Sequence, residues 1–162
     1  MKVTVIISIY SWVVFYSMLN AHEGIRHKEE TKKIRNETLS RMNQLYKKEI
    51  KAIFQKKCFD CHSGQTKFPW YFKLPVVRQW MEKDIKEGLK HLDLSNDFPF
   101  GGHGTPIEDL EAIRKTVREK TMPPLRYMLT HRHSSLTDQE EKAILEWIAT
   151  SLNLILREES AH

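Results

Sequence analysis

The sequence contains few of the residues that mark special scaffolds, with two cysteines, six glycines and six prolines among 162 residues. Two cysteines exclude a disulfide-dense scaffold, and the low glycine and proline content excludes a collagen-like or low-complexity chain. The formal net charge of +5 is too small by itself to indicate nucleic-acid binding, so no nucleic-acid partner is expected. With 40% hydrophobic and 29% charged residues, the composition is that of a folded globular domain.

Charged residues are absent from positions 3–21, an apolar run that directly follows Lys2. Its length and position are typical of a signal peptide, with Ala21 as the small residue at the cleavage point. The alternatives are an uncleaved membrane anchor, since about 20 apolar residues span a bilayer, and a buried core helix. A signal or an anchor exports the rest of the chain. We therefore expect a periplasmic protein, or one at the outer face of the cytoplasmic membrane, with residues 3–21 as the site of any membrane association.

The rest of the sequence divides by charge. Residues 22–57 hold 11 lysine and arginine residues and five acidic residues, and residues 22–39 within this stretch are interpreted as a basic linker and helix start. The basic stretch forms either a surface for acidic partners or lipid headgroups, or a solvated helix face. The sequence that follows predicts one domain over residues 40–156 and a short C-terminal tail over residues 157–162.

Apolar residues recur at helical spacing in four segments, and no alternating pattern is long enough to predict a sheet. We predict helices over about 36–57, 75–89 and 106–120, and a last helix from 138 onward, with loops at 63–74, 93–105 and 121–136. Pro75 fits a first helical turn, and residues 105–108 (Thr-Pro-Ile-Glu) and 137–140 (Thr-Asp-Gln-Glu) are capping boxes. The predicted apolar faces are, in chain order, Met42, Leu45, Tyr46, Ile50, Ile53 and Phe54; Val76, Val77, Trp80, Met81 and Ile85; Ile107, Leu110, Ile113 and Val117; and Ile144, Leu145, Trp147, Ile148 and Leu152.

Both cysteines lie in the pentapeptide Cys58-Phe59-Asp60-Cys61-His62, which has the spacing of c-type haem attachment. In that chemistry each thiol adds to one haem vinyl group and becomes a thioether, and the two intervening residues let both sulfurs reach one macrocycle. The next residue is held beneath the iron, which makes His62 the proximal ligand. Its other ring nitrogen needs an acceptor, and we expect a backbone carbonyl within residues 69–75.

Three other interpretations of the two cysteines compete with haem attachment. A thioredoxin-like dithiol expects a βαβ context, which the sequence does not predict. A zinc site would need a second pair of ligands, which histidines would have to supply. A plain structural disulfide is the third alternative.

A six-coordinate haem iron needs a second axial ligand, and Met122 is the favoured candidate. It follows a predicted helix and precedes Pro123 and Pro124, which hold the backbone extended and stiff. A thioether ligand favours ferrous iron and raises the reduction potential. The alternatives are a core-filling role for Met122 with an open sixth site, or ligation by Met128, His103, His131 or His133.

Aromatic and basic residues near these motifs are candidates for further haem contacts. Trp70, Tyr71 and Tyr127 could pack on the macrocycle edge or donate hydrogen bonds to its propionates, and Arg126 could pair with a propionate. The alternative for each is simple core or lid packing. No Ser-His-Asp order, Walker motif or GxGxxG pattern occurs in the sequence.

The motifs follow one another in a fixed order: Cys58-Phe-Asp-Cys-His62, Phe68-Pro-Trp-Tyr71, Asp84-Ile-Lys-Glu-Gly88, Met122-Pro-Pro-Leu-Arg-Tyr127, His131 and Leu145-Glu-Trp147. In this order they resemble the haem-binding domain family of bacterial c-type cytochromes, over about residues 53–148. The resemblance implies a small helical cytochrome c-like fold with covalent haem facing the periplasm. It also implies His62 as proximal ligand and Met122 at the position of the distal one. The Gly-Gly-His-Gly sequence at 101–104 departs from the family pattern, which keeps His103 among the candidates.

We therefore expect an all-α, cytochrome c-like domain around one haem c, attached covalently through Cys58 and Cys61. Its first and last helices are expected to cross. The expected function is one-electron transfer to an unidentified redox partner protein, with iron cycling between its ferric and ferrous states, and not an enzymatic reaction. The alternative is a haem-based sensor or haem enzyme with an open or displaceable sixth site.

Overall fold

The computed structural model of the chain describes residues 36–160, which form helices and loops without a β-strand. The all-α prediction is therefore confirmed. The apolar run at 3–21, predicted as a signal peptide or anchor, lies outside the described residues. Within residues 36–160, no helix has both the length and the apolar character needed to cross a membrane.

The predicted helix over 36–57 is a continuous helical stretch with a wider turn in its middle. It comprises α1 (Asn36–Leu45), a π-helix (Tyr46–Ile50) and α2 (Lys51–Lys57). A short helix, α3 (Phe59–His62), follows at once and contains most of the pentapeptide. The two cysteines and His62 thus lie directly after the helical stretch that ends at Lys57.

Five further helical elements follow. A 3₁₀ turn (Trp70–Lys73) leads into α4 (Pro75–His91), and these are followed by α5 (Pro106–Glu119), α6 (Leu125–Thr130) and α7 (Asp138–Ser160). The helix α6 falls inside a predicted loop, because six residues are too few for a helical periodicity to be read from sequence. The helix α7 continues to Ser160, so the segment predicted as a tail is helical up to that residue.

Both predicted capping boxes are present. The Thr105 hydroxyl accepts a hydrogen bond from the Glu108 backbone N–H at 3.3 Å, and the Glu108 carboxylate accepts one from the Thr105 backbone N–H at 2.8 Å. Thr137 and Glu140 repeat the arrangement at the start of α7, with distances of 3.2 and 2.8 Å. These reciprocal bonds satisfy donors that a helix start leaves unpaired, and so they fix where α5 and α7 begin.

The core lies where α1 and the π-helix pack against α7, which confirms the predicted contact of the first and last helices. The Trp147 indole N–H donates to the Met42 carbonyl oxygen at 3.3 Å. Phe98 and Phe100 enter this core from a predicted loop, and each packs against Trp147. The helix α5 also packs against α7, and its residues Leu110, Ile113 and Val117 are buried.

The helix α4 buries none of its residues, although its apolar face was predicted from periodicity. Trp80 is 62% exposed, and Val76 is also exposed. Asp84 lies one helical turn after Trp80, and Gly88 lies one turn after Asp84. Asp84 and Gly88 line the cavity described below. Periodicity identified the apolar face, but it did not reveal that the residues on this face are exposed or only half-buried instead of lying in the core.

Candidate functional site

A cavity of about 470 Å³ lies between α2, α3, α4, α5, α7 and the segment 122–127. Its walls carry the two cysteines, His62 and Met122. The helix α3 ends at His62, whereas Met122 follows α5. The fold thus brings together on one cavity the four residues that the sequence predicts as haem-attaching and axial-ligand groups.

The imidazole of His62 is oriented by a backbone carbonyl. Its Nδ1–H donates to the Leu92 carbonyl oxygen at 2.9 Å, which leaves Nε2 free to bind iron. The prediction of an acceptor within residues 69–75 is wrong. The chain after α4 runs back past the pentapeptide instead, and the Leu94 N–H donates to the His62 carbonyl oxygen at 2.6 Å.

Gly88 allows α4 to approach the pentapeptide closely. A Cβ atom at this position would lie 2.5 Å from the Cys61 carbonyl oxygen and 3.6 Å from Cε1 of His62. A distance of 2.5 Å is far below normal van der Waals contact, so only glycine fits between the two elements. Gly88 therefore lets α4 lie close to the second cysteine and to His62.

Burial keeps both thiols in their protonated form. It raises the pKa of Cys58 to about 12, with Cys61 as the second cause. Burial also raises the pKa of Cys61, with contributions from Asp84 and Asp60. A redox-active dithiol needs the opposite, a depressed thiol pKa. Within residues 36–160 no three His, Cys, Asp or Glu side chains are grouped to hold a metal ion, as a zinc site requires.

Met122 lies on the cavity wall with half of its side chain exposed. The helix α5 stops just before it because Lys120 adopts a left-handed conformation (φ 53°) that breaks the helix. The other ligand candidates lie outside the cavity wall. Met128 Sδ accepts a hydrogen bond from Ser135 at 3.2 Å, and His103 is hydrogen-bonded to His91. His131 and His133 are also absent from the wall.

Two side-chain contacts hold the segment that follows Met122. The Tyr127 hydroxyl donates to Asp60 Oδ2 at 2.8 Å, and burial together with that carboxylate raises the pKa of Tyr127. Arg126 Nε donates to Asp84 Oδ2 at 3.0 Å, and its terminal nitrogen contacts the other carboxylate oxygen. The segment is thus tied to the pentapeptide by one residue and to α4 by its neighbour.

The remaining predicted site residues divide into two groups. Arg126 and Tyr127 line the cavity, whereas Trp70 and Tyr71 do not. Trp70 is 79% exposed and packs edge-on against Tyr71. The Tyr71 hydroxyl donates to Nε2 of His131 at 3.2 Å, since Nδ1 of that ring donates to the Tyr127 carbonyl oxygen. Tyr71 therefore reaches the 122–127 segment through His131. Contact of Trp70 and Tyr71 with haem stays a prediction.

Two buried polar groups on the cavity wall were missed by the sequence reasoning. Asp109 is 4% exposed and its Oδ2 has no hydrogen-bond partner, and Ser134 is similarly buried with an unpartnered hydroxyl. Burial, followed by the nearby Glu108, raises the pKa of Asp109 to about 6. An acidic residue in the first turn of a helix is ordinary, so no sequence pattern indicates that this one faces a cavity.

Lys57 is a third group that the sequence did not single out. Its side chain is only 5% exposed, and Nζ donates to the carbonyl oxygens of His133 and Ser135 at 2.7 and 2.6 Å. It also forms an ion pair with Glu140 at 3.5 Å. Lys57 therefore connects the end of α2, next to the cysteines, to the start of α7.

The residues around this cavity fit a haem. Its volume lies in the range of ligand and cofactor sites, roughly 300–1,000 Å³, and most of the lining groups are apolar. Two thiols, an oriented imidazole and a thioether supply the donor chemistry of a c-type centre. The unpartnered oxygens of Asp109 and Ser134 are polar groups that a bound ligand could satisfy.

Comparison with known proteins supports the same cofactor. A family model described as a haem-binding domain matches residues 17–150. The chain is similar to a cytochrome c peroxidase of Escherichia coli (strain K12), with 34% identity over 97 residues. That match covers 59% of this chain and 21% of the relative, so the chain spans about a fifth of the relative's length. No solved structure matches the chain significantly.

Proposed function

The chain belongs to the haem-binding domain family, and from this premise we propose that it carries one covalent haem c and transfers single electrons. The observation that carries the proposal is the convergence of Cys58, Cys61, His62 and Met122 on one cavity. A bound haem supplies an iron atom that alternates between the ferric and ferrous states.

The two cysteines are proposed to anchor the cofactor. Each thiol adds across a haem vinyl group, so that Sγ bonds to one vinyl carbon and the thiol hydrogen ends on the other. Cys58 and Cys61 would hold the cofactor beside α3, where Gly88 lets α4 lie close to Cys61. Because the pKa of each thiol in the folded chain is raised, the thiols stay protonated, and their proposed role is attachment and not thiol–disulfide exchange.

The axial positions are proposed to be filled by His62 and Met122. The hydrogen bond from Nδ1 to Leu92 fixes the tautomer and orientation of His62, so Nε2 is the coordinating atom. The Met122 thioether would favour ferrous iron. Among the described residues, Met122 is the one methionine that lines the cavity. A filled pair of axial positions leaves little room for exogenous ligands, which suits an electron carrier.

We further propose that the domain acts on the periplasmic side of the cytoplasmic membrane, with a redox protein as partner. Support comes from the apolar run at 3–21, which is typical of an export signal. The exposed side of α4 next to the cavity offers a surface where a partner could approach the cofactor.

The proposal is tested by the optical spectrum of the protein purified after export with haem-maturation machinery. We expect haem that stays attached under denaturation, and a weak red sulfur-to-iron charge-transfer band in the oxidised state. Met122→Ala should abolish that band and lower the reduction potential, whereas the control Met128→Ala should leave both unchanged. Haem-free protein would contradict the attachment, and a band that survives Met122→Ala would contradict the distal ligand.

A second candidate function is peroxide reduction, which the printed name of the E. coli relative suggests. The half-exposed side chain of Met122 favours it, because an exposed ligand is easier to displace from iron. Turnover of hydrogen peroxide by the purified protein, together with carbon monoxide binding in the reduced state, would favour this candidate. An inert protein with a closed sixth site would favour electron transfer.

A further inference from the structure

Asp109 is a buried carboxylate on the wall of the cavity. It lies in the first turn of α5, it is 4% exposed, and Oδ2 has no hydrogen-bond partner. A Cβ atom on Gly104 would collide with Oδ1, so the absence of a side chain at that position makes room for the carboxylate. A carboxylate that is buried without full hydrogen bonding is costly in its charged form.

The charges around Asp109 do not neutralise it. Glu108 on the same helix raises its pKa and His103 in the preceding loop lowers it, but burial has the larger effect. Glu87 and His91 of α4 and Lys57 of α2 line the same cavity. Among residues 36–160 no ion pair is formed with Asp109, and the Arg126 guanidinium is already paired with Asp84. The pKa of Asp109 is thereby raised from 3.8 to about 6, within reach of neutral pH.

We propose that Asp109 takes up a proton when the haem iron is reduced and releases it when the iron is oxidised. The inference rests on the proposed function, since it requires a redox-active haem in this cavity. The electron comes from a donor protein, or from a chemical reductant in the test, and passes to the iron. The proton comes from solvent and binds a carboxylate oxygen of Asp109. On oxidation the electron passes from the iron to an acceptor, and the proton returns from Asp109 to solvent.

The coupling follows from the change of charge inside a poorly solvated cavity. Reduction removes one positive charge from the iron, so a negative carboxylate on the same wall loses a favourable interaction. Its proton affinity rises in the ferrous state and falls in the ferric state. Between the two resulting pKa values, reduction is accompanied by proton uptake, and the reduction potential therefore falls as the pH rises.

The test is a spectroelectrochemical titration of the haem-loaded protein across the acidic and neutral pH range. Full coupling of one proton to one electron lowers the potential by about 59 mV for each tenfold fall in proton concentration, and partial coupling lowers it by less. Asp109→Asn should remove the slope, because an amide of the same shape cannot titrate. Glu108→Gln is the matched control. It should keep the slope, since glutamine can preserve the capping box, but the slope should move to lower pH, because the Glu108 charge that raises the pKa of Asp109 is gone.

A slope that persists in Asp109→Asn would overturn the proposal and assign the proton to another group. A wild-type potential independent of pH would overturn it as well. If Asp109→Asn fails to mature, the reduced-minus-oxidised infrared spectrum of the wild type decides. A protonated-carboxyl band that appears on reduction, and shifts when the aspartate carboxyls carry carbon-13, supports the proposal, and its absence overturns it. Haem-free protein would instead contradict the proposed function.

Discussion

Gly88 shows how one missing side chain sets the spacing of two elements at this site. The glycine lies in the middle of α4, where alanine would ordinarily stabilise the helix by about 1 kcal/mol. A Cβ atom at Gly88 would lie only 2.5 Å from the Cys61 carbonyl oxygen. Sequence alone flags a glycine inside a helix as costly, but only the fold identifies the backbone atom that requires it.

Gly88→Ala is expected to destabilise the protein by about 2 kcal/mol, because overpacking against a backbone atom outweighs the gain in helix propensity. It should also reduce the fraction of chains that carry haem. Chemical denaturation and the haemochrome spectrum measure the two effects. Gly64→Ala is the control, since its Cβ would meet only Ser95 Oγ at an ordinary 3.6 Å. Equal behaviour of the two variants would contradict the close-approach argument.

At the scale of elements, the helical stretch over 36–57 has buried residues at a spacing that differs from the ordinary α-helical period. Met42, Tyr46, Ile50 and Phe54 are all buried and are spaced by four residues. In an α-helix, steps of four drift about 40° each, so four such residues would not stay on one line. The π-helix at Tyr46–Ile50 widens the turn and keeps them aligned. A strict period of four was therefore a readable signal for the π turn.

Lys57 is the element-scale contact with the clearest test. Lys57→Met removes the ammonium group that donates to two carbonyl oxygens and pairs with Glu140. Burial raises the pKa of Glu140, but hydrogen bonds from Thr137 and the charge of Lys57 outweigh this effect and lower it. We expect a loss of about 3 kcal/mol in the free energy of unfolding, typical of breaking a buried ion pair. The exposed neighbour provides the control, and Lys56→Met should change stability by less than about 0.5 kcal/mol. Similar losses would show that the Lys57 contacts contribute little.

The segment 122–127 provides a second element-scale test. Tyr127→Phe deletes the hydroxyl that donates to Asp60, and a bond to a carboxylate contributes about 2 kcal/mol. We expect lower stability and a weaker sulfur-to-iron band, because the segment that positions Met122 is loosened. Tyr71→Phe removes a bond to the imidazole of His131, which lies outside the cavity, and should leave the band intact. A band unchanged in Tyr127→Phe would show that the contact does not position Met122.

For the whole molecule, the sequence predicted the helical class, the four long helices, both capping boxes and the contact of first and last helices. These depend on local patterns or on the family resemblance. What it did not predict depends on long-range packing. Phe98 and Phe100 reach the core from a loop, Leu92 accepts from His62, and Asp109 is enclosed by the cavity. In each case the residues that meet are far apart in sequence, so no periodicity or spacing could predict the arrangement.

The hydrogen bond from Trp147 to the Met42 carbonyl joins residues 105 positions apart, and this separation affects the order of events during folding. The cysteines are made early in synthesis, whereas α5, the 122–127 segment and α7, which enclose them, follow later. A contact this distant in sequence requires the closure of a long loop, which slows its formation. Under the proposed attachment, the thiols are most accessible before that closure, because the folded chain half-buries both cysteines in the cavity wall. Attachment and closure therefore compete, and a variant that folds faster should mature with less haem.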